Sequence, residues 1–129
     1  MKKILISSLA IVALTGWATW SAIADEEKKA EGEVKTIKGE VVDMVCYLDH
    51  GAKGEKHKAC ANKCIAGGLP VGILADQDVY LIVGDHKPIN DKLASLAAQD
   101  VKVTGKVVHR KGVHMIEVKD PDKDIVAEK

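Results

Sequence analysis

The stretch VKVTGKVVHRKGVHMIEVK, residues 101–119, constrains the fold most, because apolar residues alternate on both sides of Lys111 and Gly112. Alternation with a period of two marks half-buried strands, and a short Gly-containing link between two such runs marks a hairpin. With Lys111 and Gly112 as the loop, Arg110 faces Val113, His109 faces His114, Val107 faces Ile116 and Gly105 faces Val118. Val101, Val103, Val107, Ile116 and Val118 then share one face, and Lys102, Thr104, Lys106, Glu117 and Lys119 share the other. A slip of one residue sets Val107 against Met115 and Gly105 against Glu117, which mixes the faces, so the first register is expected. It places His109 and His114 side by side at the hairpin end of the apolar face.

Upstream the pattern is also mostly β. VKTIKGEVVDMVCYL, residues 34–48, reads as a long β-branched strand with a bend or bulge at Gly39. VGILADQDVYLIVGD, residues 71–85, reads as two strands joined by a tight turn between Ala75 and Asp78. In KPINDKLASLAAQD, residues 87–100, Asn90 suits a helix cap and Asp91 its first turn, while Leu93, Leu96 and Ala97 form an apolar face at helical spacing. The order is strand, strand, strand, helix, strand, strand. In that order, and in the VKVTGKVV strand with its hairpin, the chain resembles small bacterial periplasmic OB-fold proteins. The resemblance implies a mainly β chain: a five-stranded Greek-key barrel with a helix between strands 3 and 4. The expected domain spans residues 34–120, and an insertion of residues 47–69 departs from the minimal barrel by separating strands 1 and 2 far beyond the usual loop length.

The ends read differently. Lys2 and Lys3, an apolar run from Ile4 to Ala18, and Ala22, Ile23 and Ala24 have the form of a secretory signal, with cleavage expected after Ala24. The apolar run is short for a membrane span and no cysteine follows it, so neither a retained anchor nor a lipoprotein anchor is expected. Residues 25–33 are charged without apolar period and read as a flexible leader, and residues 121–129 as a tail. Cleavage removes Lys2 and Lys3 and no acid, so 19 basic and 19 acidic residues become 17 and 19, a net charge of −2. Both tryptophans leave with the signal, and Tyr47 and Tyr80 remain. Neither a phosphate-binding surface nor a base-stacking platform fits that composition, which excludes nucleic acid as a partner. The expected location is outside the cytoplasm, in the periplasm.

All three cysteines, Cys46, Cys60 and Cys64, lie in or beside the insertion, together with His50 and His57. Helix formers run from Glu55 to Ala66, with Gly67, Gly68 and Pro70 as the stop. On a continuous helix His57, Cys60 and Cys64 fall at i, i+3 and i+7 on one face, and Cys46, at the end of the first strand, can supply a fourth donor. The expected metal site is therefore Cys46, His57, Cys60 and Cys64. A tetrahedral Cys3His set makes zinc the expected ion, with copper as Cu(I), suited to soft thiolates, the alternative. Ligation would also order an insertion poor in apolar residues.

Two other readings compete. One cysteine pair can form a disulfide and leave the third thiol spare, making a stapled binding protein for a small ligand or partner, with no cofactor. Alternatively, CANKC resembles the C-x3-C pairs of copper-handling proteins in spacing, which implies thiol redox or copper relay. Cys64 is followed by Ile65 rather than histidine, which disfavours covalent c-type haem. His50 reads as solvated, His86 is given no role, and the pair His109 and His114 is kept outside the main site. Asp43, Asp49, Asp76, Asp78 and Asp85 lack calcium-loop or acid–base spacing, and there is no phosphate loop or G-x-S-x-G. A non-catalytic role is expected.

Overall fold

The computed structural model describes residues 32–128. The expected signal and most of the leader fall outside these residues. The elements are β1 (Glu33–Asp43), α1 (Met44–His50), a 3-10 turn (Glu55–His57), α2 (Lys58–Ala66), β2 (Val71–Ala75), β3 (Asp78–Val83), α3 (Asn90–Ala94), β4 (Asp100–Arg110), β5 (Val113–Glu117), α4 (Pro121–Asp124) and β6 (Ile125–Ala127). The protein is mainly β. Five strands pair in the ring β1, β2, β3, β5, β4 and back to β1, which closes a barrel with no free edge within the ring. Only β3 and β5 run parallel; β1–β2, β1–β4, β2–β3 and β4–β5 are antiparallel.

The closing hairpin has the register that alternation demands. His109 pairs with His114, Val107 with Ile116 and Arg110 with Val113. Lys111 and Gly112 both have positive φ, 47° and 82°, the left-handed pair that matches the twist of a two-residue hairpin. Val101, Val103, Val107, Ile116 and Val118 are all buried, so every residue of the expected apolar face reaches the core. Val41 and Ile73 pair across β1 and β2 and join them. Leu93 and Ala97 from the α3 region, and Ala61 and Ile65 from α2, belong to the same core.

β1 is long because it serves two neighbours. Residues Glu33 to Glu40 pair with β4, and Glu40 to Asp43 pair with β2. Gly39 sits at the crossover, where a Cβ would collide with the Leu74 carbonyl and stand 2.7 Å from its carbon. The obstacle is backbone, which cannot swing aside. Gly39→Ala is therefore expected to destabilise the fold by about 1–3 kcal/mol in a denaturant titration, the usual cost of overpacking.

Three expectations change. The first strand does not continue to Leu48; it stops at Asp43, and Met44 opens a helix. The Asp43 side chain accepts from Cys46 N–H, satisfying a donor at the helix start and making helix the better local choice despite the β-branched run. Residues 121–129 are not simply a tail. α4 is capped by Asp120, with Pro121 at its start, and β6 pairs Ile125 with Val103 and Ala127 with Val101. Ile125 is buried, so this segment completes the side of β4 that β5 leaves uncovered. At α3 the cap position is Ile89, not Asn90, and the Asn90 amide instead holds the end of α2.

Candidate metal centre

Two short helices between β1 and β2 carry the cysteines. α1 is set by its ends: Asp43 Oδ1 accepts from Cys46 N–H at 2.7 Å, and Gly51, with φ 72°, donates back to Tyr47 O at 2.8 Å. Beyond Gly51 the chain turns through Gly54, also at positive φ, whose N–H donates to the Glu40 carboxyl group. Ala52 is buried in this turn. The insertion is thus tied to β1 at two acidic side chains three residues apart.

α2 is fixed from the opposite side. Ala61 and Ile65 enter the core, and Ile65 has no exposed surface. Asn62 Nδ2 donates to Ala94 O at 2.6 Å, and Asn90 Nδ2 donates to Ile65 O and Leu69 O at 2.8 Å each. These bonds lock α2 against α3 and present Cys60 and Cys64, one turn apart, towards α1. Cys60 is exposed, whereas Cys46 and Cys64 are half-buried.

The three Sγ atoms all lie within 4.8 Å of one another. Metal–sulfur bonds near 2.3 Å place thiolates about 3.8 Å apart in a tetrahedron and about 4.0 Å apart in a trigonal plane, so little contraction is needed to share one ion. The three are free thiols. The same closeness would let an oxidant join two of them.

His57 is not brought into this set. The expected stripe assumed an unbroken helix from Glu55, but residues Glu55–His57 form a 3-10 turn and His57 is the cap before α2. The change of winding takes His57 out of phase with Cys60. Its ring lies beside that of His50 instead, with centroids 6.2 Å apart. Cys46 is brought in, though from a helix rather than from the strand end.

Sequence reasoning missed Asp43. Among the described residues it is the buried charged one, 1% exposed, and its Oδ2 has no hydrogen-bond partner there. The signal was present as an aspartate three residues before a cysteine, the spacing of a helix cap, but the β-branched run hid it. Asp43 governs the thiols electrostatically. Hydrogen bonding between its side chain and the neutral Cys46 thiol, followed by burial and the repulsion of like charge, pushes Cys46 from 9.0 up to about 12. Cys64 is also raised, foremost by burial, with Asp43 and Cys60 adding to the rise while hydrogen bonding from Cys46 opposes it. Without a cation Cys46 and Cys64 therefore hold their protons; a bound cation reverses the balance by stabilising thiolates.

A pH prediction follows. Because the folded pKa of Cys46 lies above the ordinary value, its contribution to stability is fully present below pH 9.0 and is lost as pH rises towards about 12. Melting temperature of the metal-free, reduced protein should decline across that window. Asp43→Asn retains an oxygen for the cap but removes the charge, so Cys46 should then react with iodoacetamide at a lower pH than in the unaltered protein.

A second group, Asp85, His86 and Glu117, also brings its donor atoms within 4.8 Å, with His86 Nε2 3.8 Å from Glu117 Oε1. His86 and Asp85 are exposed, and these residues lie outside the cysteine cluster. Comparison of the chain with models of protein families, with curated proteins and with solved structures finds no match.

Proposed function

We propose that this is an exported, periplasmic metal-binding protein that carries a thiophilic ion on Cys46, Cys60 and Cys64. The observation that supports it best is the convergence of all three sulfurs, from two separately anchored helices, within 4.8 Å. The ring order β1, β2, β3, β5, β4 and the position of α3 between β3 and β4 support an OB-like reading of the barrel. On that reading the cysteine insertion is a feature added to the barrel between its first two strands.

Three thiolates without an imidazole favour a different ion from the four-ligand set. Zinc in a closed site takes four protein donors, so here it would need His57 to move or a water to complete its shell. Cu(I) is softer and is satisfied by thiolates alone. Cu(I) is accordingly the preferred ion, with zinc second. The position of Cys60 at the surface suits carriage better than bracing, because an ion there is reachable by an incoming donor. α1 strengthens this reading: it has no buried residue and exposes Val45 and Leu48 on either side of Cys46, apolar surface that a partner taking the ion could cover.

The test is the metal content of reduced protein after reconstitution with Cu(I) and, separately, zinc. One Cu(I) per chain with no free thiol by titration supports the proposal. Metal-free protein with two of the cysteines joined in a disulfide after isolation from the periplasm would instead support the stapled binding protein.

A further inference from the structure

We propose a second metal site, made of nitrogen rather than sulfur, at His109 and His114. The two residues pair directly across β4 and β5, and their Nδ1 atoms are hydrogen-bonded to each other. Their rings meet at 4.5 Å between centroids and 79° between planes. A neutral imidazole has one N–H and one lone pair, so two Nδ1 atoms in contact share a single proton. For an ion to engage both Nδ1 lone pairs, the donor ring moves its hydrogen from Nδ1 to Nε2, a tautomeric change that leaves both imidazoles neutral.

The surroundings hold the pair in this arrangement. The Lys111 and Gly112 turn pins the register, so neither histidine can slide past the other. Tyr80, from β3, stands opposite His114 in the parallel ladder and places its ring edge-on to both imidazoles, at 5.4 Å from His114 and 6.0 Å from His109. Tyr80 itself is packed on the core. Rotamers locked by neighbours reduce the ordering cost of binding, which is the condition for a two-donor site to hold an ion. His109 is exposed, giving an ion access from solvent.

The donor type selects the ion. Imidazole suits borderline divalent ions, and among these Cu(II) stands highest in the common affinity order. Two protein donors leave its other positions to water. The site is thus complementary to the thiol cluster, which prefers the softer Cu(I), and the two are separable by experiment.

The test uses the full chain with Cys46, Cys60 and Cys64 changed to Ser, titrated with Cu(II) and followed by electron paramagnetic resonance. One Cu(II) with nitrogen hyperfine coupling is expected. Loss of an outer-shell partner alone costs 10–100-fold, so H109A or H114A should weaken binding by at least about tenfold, while H86A leaves it unchanged. Equal affinity in H109A, H114A and their parent would overturn the site, as would the absence of bound Cu(II). If the triple Ser variant does not fold, Ni(II) is added to the reduced, unaltered chain. Selective broadening of the His109 and His114 ring signals then supports the site, and broadening elsewhere alone refutes it. Neither result depends on Cu(I) binding at the cysteines.

Discussion

Cys64→Ser is expected to abolish retention of the thiophilic ion, with affinity falling by at least about a hundredfold. Structural zinc sites have apparent binding free energies of about 10–16 kcal/mol over four ligands, so one thiolate accounts for about 3 kcal/mol, which is about a hundredfold or more. Cys64 is informative because it is half-buried, its Sγ lies within 4.8 Å of both other sulfurs and the next residue, Ile65, is anchored in the core. A competition titration with a chromophoric Cu(I) chelator reads the change. His57→Ala should weaken binding far less, since its ring is not part of the converging set. A His57 variant as severe as the Cys64 variant would restore the four-ligand site that the helical stripe suggested.

Ile65→Ala is expected to destabilise the fold by about 2–5 kcal/mol, the range for deleting a fully buried aliphatic side chain. Ile65 has no exposed surface and belongs to the core with Leu93, Val101 and Ile116. It also immediately follows Cys64, and its carbonyl accepts from Asn90. The substitution should therefore loosen α2 and lower metal affinity along with stability. Denaturant unfolding and the chelator competition, run on the same sample, separate the two effects. Loss of stability with unchanged metal affinity would show that α2 is positioned by its hydrogen bonds alone.

Much of the barrel was legible because period-two alternation speaks for itself. The β4–β5 hairpin followed from Val101, Val103, Val107 and Ile116 together with the turn residues, and its register is the one observed. The turn between β2 and β3 was equally plain, with Ala75 paired to Asp78. The start of the insertion was not legible, since Val41, Val42 and Val45 prolong the look of a strand while the deciding force is one hydrogen bond from Cys46 N–H to Asp43. β6 was hidden for a related reason: Ile125 and Val126 are too few to show a period, and only the vacancy beside Val101 and Val103 makes them a strand. In the metal centre, the cysteines could be grouped from sequence because helical spacing and proximity agree. His57 could not, because a switch from 3-10 to α winding moves a side chain off its stripe without changing any residue count.

The most direct measurement is X-ray absorption at the metal edge of reconstituted, reduced protein. A shell of three sulfur scatterers is the predicted outcome, alone for Cu(I) and, for zinc, at about 2.3 Å with one light scatterer completing the shell. A shell dominated by nitrogen or oxygen would contradict carriage of the ion on Cys46, Cys60 and Cys64.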